Sequence, residues 1–323
     1  MLYKWPIIGH EEQLKRLEAD LKNGHLAHAY IFVGPDKVGK FLVAKTLAGI
    51  LQCPNNYCRS CPTCVQVMKG VHLDTIEMRD DGESIKIERV RALIASVNMT
   101  AQSNYKIVLL DNIGRMGDEA ANCFLKTLEE PPRSTLFLMT ANNLRELLPT
   151  IVSRSRIVKF PAIPEEKLKK KVLEMKDVLK IEATEDAVER ACMLSLGRPG
   201  KAIELMQDVD AMREYLRVYN DARSFFLDKD LTKRFMYVQS VIDKLEDDPK
   251  ILDVFLETLL YVARSFLNAK VNSGENDNED FPEIISFSKD DLINLVHKIE
   301  ETRYFISRNI NAKLALENLM LSF

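Results

Sequence analysis

Five short apolar runs in the first half of the chain constrain its fold more than any other feature. Each run has the length of a buried strand, and the stretches between successive runs are long enough for a crossover helix. The runs cover residues 30–33, 75–78, 106–110, 136–139 and 157–160. Strands joined in this way lie parallel, and a parallel sheet needs helices on both faces. The sequence therefore predicts an α/β domain built on a parallel sheet.

The second half of the chain has a different pattern, because strand signals stop after residue 160. Two prolines just beyond it break any helical continuation, and apolar residues then recur at helical spacing. A chain of 323 residues also exceeds what one hydrophobic core organises. We predict a sheet domain over 1–162, a small helical domain over 163–207 and a helical bundle over 208–323. Within the bundle, the polar and acidic segment 271–282 is predicted to be a mobile loop.

The chain as a whole carries little net charge. Its 45 Lys and Arg residues nearly balance 48 Asp and Glu residues, giving a net charge of −3 at pH 7. A protein with this balance is not a general electrostatic binder of nucleic acid, so any contact with DNA must be local. No apolar run approaches the ~20 residues that cross a bilayer, and the first residues lack the apolar stretch of a secretion signal. We therefore expect a cytoplasmic location and no membrane partner.

The segment GPDKVGKF, residues 34–41, follows a predicted strand and opens a predicted helix, as a phosphate-binding loop does. In such a loop, Gly34 and Gly39 let backbone N–H groups converge on phosphate, and Lys40 reaches the terminal phosphates. The next residue should offer a hydroxyl to magnesium, but it is Phe41. These residues predict a degenerate nucleotide site, and the alternative is a chance glycine turn between strand and helix.

A second departure from an active ATPase follows the third apolar run. Asp111 ends that run, where a carboxylate would orient magnesium, but the next residue is Asn112 instead of the glutamate that activates water. A neutral amide is a poor general base. Metal positioning and water activation are both impaired, and loss of either commonly costs orders of magnitude in rate. We expect no ATP hydrolysis, whereas bound ATP or ADP is compatible with these residues.

Four of the six cysteines fall within 12 residues, which indicates a metal site and not a disulfide framework. The four are Cys53, Cys58, Cys61 and Cys64. A tetrahedral Zn²⁺ site with four thiolates has no position left for water or substrate, so it would be structural. It would staple the insertion 53–64, which is too small and polar to form a core. The alternative is reduced free thiols or a redox pair.

Two stretches of the sheet domain are distinctive, ANCFLKTLEEPPRSTLFLMTANN at 121–143 and LLPTIVSRSRIVKF at 147–160. They occur together with IIGHEEQLKRL near the start, HLAHAYIFVGP leading into the phosphate loop, the four clustered cysteines and NINAKLALENLML near the end. Over nearly its whole length the chain resembles the AAA+ subunits of the bacterial replicative clamp loader. With its altered nucleotide loop, it is most similar to the delta-prime class of DNA polymerase III subunits.

The resemblance implies a RecA-like AAA+ domain, a helical lid and an all-α collar domain that helps to hold a five-subunit ring together. The implied partners are the motor gamma/tau subunits, the delta subunit, the sliding clamp and primed DNA reached through the assembled ring. Such a ring uses ATP held by its motor subunits to open the clamp and place it on primed DNA. Delta-prime-like members act as a rather rigid stator and do not drive the motion.

The sequence Ser153-Arg154-Ser155 matches the Ser-Arg-Cys motif of clamp-loader subunits, except that Ser155 stands where cysteine is usual. The resemblance implies that Arg154 enters the ATP site of the neighbouring subunit and offsets charge on the terminal phosphate there. Pro149 independently favours a short helix that projects Arg154 from its far end. The alternative is a surface arginine paired with a carboxylate.

Three further polar residues are candidates for contacts with nucleotide. Arg198, in GRPGKA, matches the lid position of a sensor arginine in related ATPases. A solvated arginine in a turn between helices is the alternative. Thr140 and Asn142 follow the fourth apolar run, where a phosphate sensor is expected, although capping of the loop also explains them.

We therefore predict a non-motor clamp-loader subunit, part of a DNA polymerase holoenzyme but not a competent ATPase itself. The first alternative is an ATP-hydrolysing motor subunit of gamma/tau type that tolerates Phe41 and Asn112. The second is a zinc finger that reads nucleic acid. Against it, the segment 53–64 contains one basic residue, Arg59, which is too few for a phosphate-dominated interface.

Overall fold

The computed structural model describes residues 2–55, 57–179, 183–227, 230–245, 251–272, 287–307 and 310–321. By its internal contacts the chain divides into two units, Met1–Gln207 and Asp208–Phe323. The predicted separation of a sheet domain over 1–162 from a lid over 163–207 stays a prediction, because both parts belong to the first unit.

A five-stranded parallel sheet forms the centre of the first unit. Its strands are β1 (Ala29–Val33), β2 (Thr75–Met78), β3 (Lys106–Leu110), β4 (Thr135–Ala141) and β5 (Arg156–Lys159). Their order across the sheet is β2-β3-β4-β1-β5, and every neighbouring pair is parallel. Because β1, β3 and β4 lie side by side and point the same way, the loops after their carboxyl ends converge at one edge.

The first unit contains nine α-helices among its described residues. They are α1 (Glu11–Asn23), α2 (Lys40–Gln52), α3 (Pro62–Lys69), α4 (Ile87–Val97), α5 (Asp118–Glu129), α6 (Pro149–Ser153), α7 (Glu165–Leu179), α8 (Glu185–Leu194) and α9 (Pro199–Gln207). Short 3₁₀ turns cover Ile113–Arg115 and Leu144–Glu146.

Both faces of the sheet are covered, which explains why the strands read as continuous apolar runs. All five residues of β1 are buried, and successive side chains of a strand point to opposite faces. Tyr30 and Phe32 accordingly pack into one core cluster, whereas Ile31 and Val33 pack into another. A strand buried on one face only would alternate apolar and polar residues instead.

Five α-helices account for most of the described residues of the second unit. Its helices are α10 (Val209–Leu227), α11 (Leu231–Lys244), α12 (Ile251–Asn272), α13 (Lys289–Ser307) and α14 (Ala312–Met320). Apolar residues of α12 and α14 share one core cluster, among them Phe255, Leu259 and Leu316. Of the loop predicted over 271–282, the first two residues belong to α12 and the remainder lies outside the described residues.

The predicted architecture is confirmed: an α/β domain built on a parallel sheet is followed, among the described residues, by helices. Among the described residues, no helix has both the length and the apolar character needed to span a membrane.

Candidate functional site

The segment between β1 and α2 has the backbone of a phosphate-binding loop. A side chain at Gly34 would place its Cβ 1.9 Å from the carbonyl oxygen of Phe160, so only glycine fits there. Gly39 adopts a φ of 102°, which strains L side chains, and it caps the amino end of α2. The backbone of the loop therefore requires glycine at both positions. The N–H groups in the first turn of α2, which have no partner within the helix, lie next to the loop.

Lys40, the first residue of α2, turns its amine back into this loop. Its Nζ donates to the carbonyl oxygens of Gly34 at 2.6 Å and Pro35 at 2.8 Å, and to Oδ1 of Asn142 at 2.9 Å. Lys40 is 6% exposed. Burial lowers the pKa of Lys40 to about 8, against the opposing effect of nearby carboxylates. The structure thus brings together the loop, Lys40 and the candidate sensor Asn142.

Asp111 lies at the same edge, immediately after β3, and its carboxylate is held by Thr140. The hydroxyl of Thr140 donates to Oδ1 of Asp111 at 2.7 Å and accepts from the backbone N–H of Asn112 at 2.8 Å. Burial raises the pKa of Asp111, and the bond from Thr140 opposes that rise. Thr140 therefore orients Asp111 and caps the loop after β3, in agreement with the plainer of its two interpretations.

Asn112, the residue in place of a catalytic glutamate, is bonded to a carboxylate of the loop after β2. It has a left-handed backbone with φ of 50°. Its Nδ2 donates to Oδ2 of Asp80 at 2.8 Å, and Asp80 also pairs with Arg115 at 2.8 Å. An amide held in this way offers no basic atom to a water molecule beside a phosphate.

Phe41 is half-buried and lies under a positive charge. The Arg79 guanidinium carbon is 3.9 Å from the centroid of the Phe41 ring, within the range of a cation–π contact. Arg79 also pairs through Nε with Glu77, whose other oxygen lies 2.9 Å from Nζ of the buried Lys45. No motif in the sequence indicated Arg79. The one available signal is that it directly follows the run that forms β2.

The tip of the loop is bonded to α9. The backbone N–H of Gly200 donates to the carbonyl oxygen of Lys37 at 2.9 Å, and the Lys37 amine pairs with Glu204. Arg198 precedes α9 and is 9% exposed, with its Nε donating to the carbonyl oxygen of Ser195 at 3.0 Å. Its burial contradicts the alternative of a solvated arginine, while its role as a sensor stays a prediction.

The four clustered cysteines meet around one point at the end of α2. Their sulfur atoms all lie within 4.8 Å of one another. The Sγ atoms of Cys53 and Cys58 are 3.9 Å apart, and those of Cys53 and Cys61 are 3.8 Å apart. Four thiolates at the usual Zn–S distance around one tetrahedral ion have sulfurs separated by about 3.8 Å. The residues present therefore fit a metal ion, and zinc is the ion that such a donor set prefers.

The local backbone prepares these cysteines for a metal. Cys61 is the N-cap of α3, and its sulfur accepts from the backbone N–H of Cys64 at 3.4 Å. Tyr57, between the first two cysteines, is 7% exposed and packs closely against Gly49 of α2, where an added Cβ would meet the ring at 2.5 Å. The insertion is thus anchored to α2 by one aromatic side chain as well as by the cysteines.

Arg154 stands at the far end of α6, as predicted from Pro149. Its Nη1 donates to the carbonyl oxygen of Thr150 at 3.0 Å, and its Nη2 lies 2.6 Å from Oε1 of Glu129. The arginine side chain is 35% exposed. The structure therefore contains the surface ion pair that was the alternative interpretation, and Glu129 belongs to the LKTLEEPP stretch. A role of Arg154 in another subunit stays a prediction.

Arg154 and the phosphate loop lie at opposite edges of the sheet. Arg154 precedes the first residue of β5, whereas the loop follows the last residue of β1, and the two strands are parallel neighbours. A strand of four residues is roughly 13 Å long. The guanidinium is consequently placed at the edge away from the loop of its own chain.

Comparisons with known proteins find relatives among the subunits of DNA polymerase III. Residues 9–164 match the family described as "DNA polymerase III, delta subunit". DNA polymerase III subunit gamma of Buchnera aphidicola subsp. Acyrthosiphon pisum (strain APS) is 32% identical over 167 residues, 50% of this chain and 46% of that protein. DNA polymerase III subunit delta′ of Bacillus subtilis (strain 168) is 30% identical over 165 residues, 50% of each chain. This chain thus spans about half the length of these relatives.

Among solved structures, the RuvB Holliday junction branch migration motor of Thermotoga maritima has a TM-score of 0.46 and 15% identity, over 74% of this chain and 76% of that one. The sequence relatives include both gamma and delta′ subunits, so they do not separate these two classes. Together with the family match, they show that residues 9–164 are similar to DNA polymerase III clamp-loader subunits.

Proposed function

We propose that this chain is a non-motor, delta-prime-like subunit of a DNA polymerase III clamp loader. It serves as a stator in an ATP-driven ring that opens a sliding clamp and places it on primed DNA. Motor gamma/tau subunits and a delta subunit are its partners in the ring. The observation that carries this proposal is a phosphate loop that keeps its glycines and Lys40, next to a phenylalanine where magnesium needs a hydroxyl.

The chemistry of phosphoryl transfer supports a subunit that does not turn nucleotide over. Transfer to water needs a positioned magnesium ion and a group that orients the attacking water. Phe41 has no oxygen for the metal, and the Asn112 amide is engaged by Asp80 at 2.8 Å. Metal positioning and water activation both fail at this nucleotide site, which favours the stator over the motor alternative of gamma/tau type.

The position of Arg154 supports an action on a neighbour. Its guanidinium is at the edge of the sheet opposite the loop of its own chain, so it cannot serve that loop. It is partly exposed, and an arginine presents a fixed planar fork that suits phosphate oxygens. In the ring, we expect Arg154 to exchange its contact with Glu129 for the terminal phosphate held by a motor subunit.

The cysteine cluster supports one structural zinc ion and not a nucleic-acid reader. Cys53, Cys58, Cys61 and Cys64 would hold it, and four thiolates leave no coordination position for substrate. The guanidinium of Arg59, the only basic residue among them, lies over the Tyr57 ring at 5.3 Å. When bound, the ion supplies folding energy to the insertion and no chemistry.

ATP turnover, measured on the chain alone and in the ring, tests the proposal. We expect negligible magnesium-dependent hydrolysis by the isolated chain and strong hydrolysis after mixing with motor and delta subunits, clamp and primed DNA. Arg154→Ala should leave ring assembly intact. At the ATP site that Arg154 serves, loss of the arginine should lower the rate of hydrolysis by about 10³-fold or more. Hydrolysis by the whole ring should therefore fall by at least the share that this one site contributes.

A matched control is Arg16→Ala, which removes an exposed arginine from α1 and should leave both assembly and hydrolysis unchanged. Hydrolysis by the isolated chain at the rate of a motor subunit would establish the gamma/tau alternative. Full activity of the ring that contains Arg154→Ala would refute the role in trans.

A further inference from the structure

Arg79 occupies the side of the loop where a bound nucleotide would carry its metal ion. In a phosphate loop the lysine at the position of Lys40 reaches the terminal phosphates, and the residue after it normally supplies the hydroxyl that ligates magnesium. That residue is Phe41, and the Arg79 guanidinium carbon lies 3.9 Å from the centroid of its ring. A fixed cation thus stands beside the residue that replaces the metal ligand.

The positive charge of Arg79 also acts on Asp111, the second residue on which a magnesium ion would depend. Asp111 follows β3 at the edge of the sheet where the phosphate loop begins. Burial raises the pKa of Asp111, whereas the positive charge of Arg79 acts to lower it. An arginine keeps its charge at all physiological pH values, so this field is permanent.

Two side chains hold Arg79 at this place. Its Nε donates to Glu77, and Glu77 is 10% exposed and pairs with the buried Lys45. Glu77 lies in β2 and Arg79 immediately follows that strand. The sheet therefore fixes the backbone from which the guanidinium extends. The Arg79 side chain remains 56% exposed, which leaves its outer N–H groups accessible to a ligand.

We infer that Arg79 replaces the divalent cation in this loop, so that the chain binds nucleoside di- and triphosphates without magnesium. The guanidinium neutralises phosphate charge and donates N–H bonds to phosphate oxygens, as arginines do at phosphate sites. Magnesium requires a nearly octahedral set of oxygens, and Phe41 removes one of them while Arg79 adds a repelling charge. The inference concerns binding by the chain alone and does not depend on its role in a ring.

Binding of ADP to the purified full chain, measured by calorimetry with EDTA and with excess magnesium, tests the inference. We expect the two dissociation constants to agree within about twofold. Arg79→Gln should weaken binding in EDTA by about tenfold, the usual worth of one charge-assisted contact to phosphate. Because Glu77 keeps Lys45 as its partner, this variant should retain the fold, as circular dichroism will show.

Two further variants make the experiment specific. Arg89→Gln removes a partly exposed arginine that pairs with Asp81 at 2.7 Å, and it should leave ADP binding unchanged in both conditions. The double variant Phe41→Thr with Arg79→Gln restores a hydroxyl and removes the cation, so binding should become tighter by about tenfold or more in magnesium than in EDTA.

Three results overturn the inference. They are binding by the unmodified chain only in magnesium, equal affinity of Arg79→Gln and the unmodified chain in EDTA, and no binding of ADP in either condition. None of these results bears on ATP hydrolysis by the assembled ring, which tests the proposed function separately.

Discussion

The buried amine of Lys40 makes stability depend on pH in a predictable direction. Its pKa is about 8 in the folded chain and near 10.5 when exposed to water. Below pH 8 both states are protonated, and between pH 8 and 10.5 only the unfolded state remains so. Unfolded chains then bind more protons, so the contribution of Lys40 to the free energy of unfolding rises with pH, by about 3 kcal/mol in all.

Lys40→Met isolates this effect, because every other titrating group is common to both proteins. We expect the free energy of unfolding of the Met variant, relative to the unmodified chain, to decrease as pH rises from 8 to 10.5. Denaturant titrations at a series of pH values measure it. A difference between the two proteins that stays constant with pH would contradict the lowered pKa of Lys40.

Residues that belong to a local motif could be located from the sequence, whereas residues that act across the fold could not. The loop glycines and Lys40 follow from their spacing and from the strand and helix that flank them. Arg79 is 38 positions from Phe41 along the chain, and Glu129 is 25 positions from Arg154. These contacts arise from the order of strands in the sheet, for which single-sequence patterns hold no information.

At the scale of elements, we predict that the insertion 53–64 depends on a bound metal ion for its stability. The segment buries little apolar surface besides Tyr57, so loss of zinc should release it from Gly49. We expect the purified chain to carry one zinc ion, and Cys58→Ser to lose it together with about 3 kcal/mol of stability. Metal analysis and thermal unfolding measure both effects. Cys123→Ser, outside the cluster, should retain zinc, and a metal-free chain insensitive to Cys58→Ser would contradict the assignment.

The central strands β1, β3 and β4 were predictable because they are buried on both faces of the sheet, which produces apolar runs. The first and last residues of the strands were harder to predict. β4 extends beyond its predicted range to Thr135 and Ala141, and Thr135 is a polar residue that apolar patterning does not detect. β5 starts at Arg156, whose side chain pairs with Asp20 at 2.9 Å. Ladder pairing with β1, not side-chain polarity, determines where β5 begins.

At the scale of the whole molecule, the described residues form three core clusters, and each cluster draws on one unit alone. Two clusters cover the faces of the sheet in the first unit, and the third joins helices of the second. Units with separate cores unfold with their own free energies. A change inside one core is therefore expected to lower the stability of that unit more than the stability of the other.

The single tryptophan allows this expectation to be tested. Trp5 is 8% exposed in the first unit, where its Nε1 donates to Glu18 at 2.9 Å, so its fluorescence reports unfolding of that unit. Phe255→Ala removes a fully buried side chain from the core of the second unit and should cost about 3–5 kcal/mol there. We expect a loss of helical circular dichroism at lower denaturant concentration, with the fluorescence transition shifted much less. Equal shifts of both signals would mean that the two units unfold as one cooperative body.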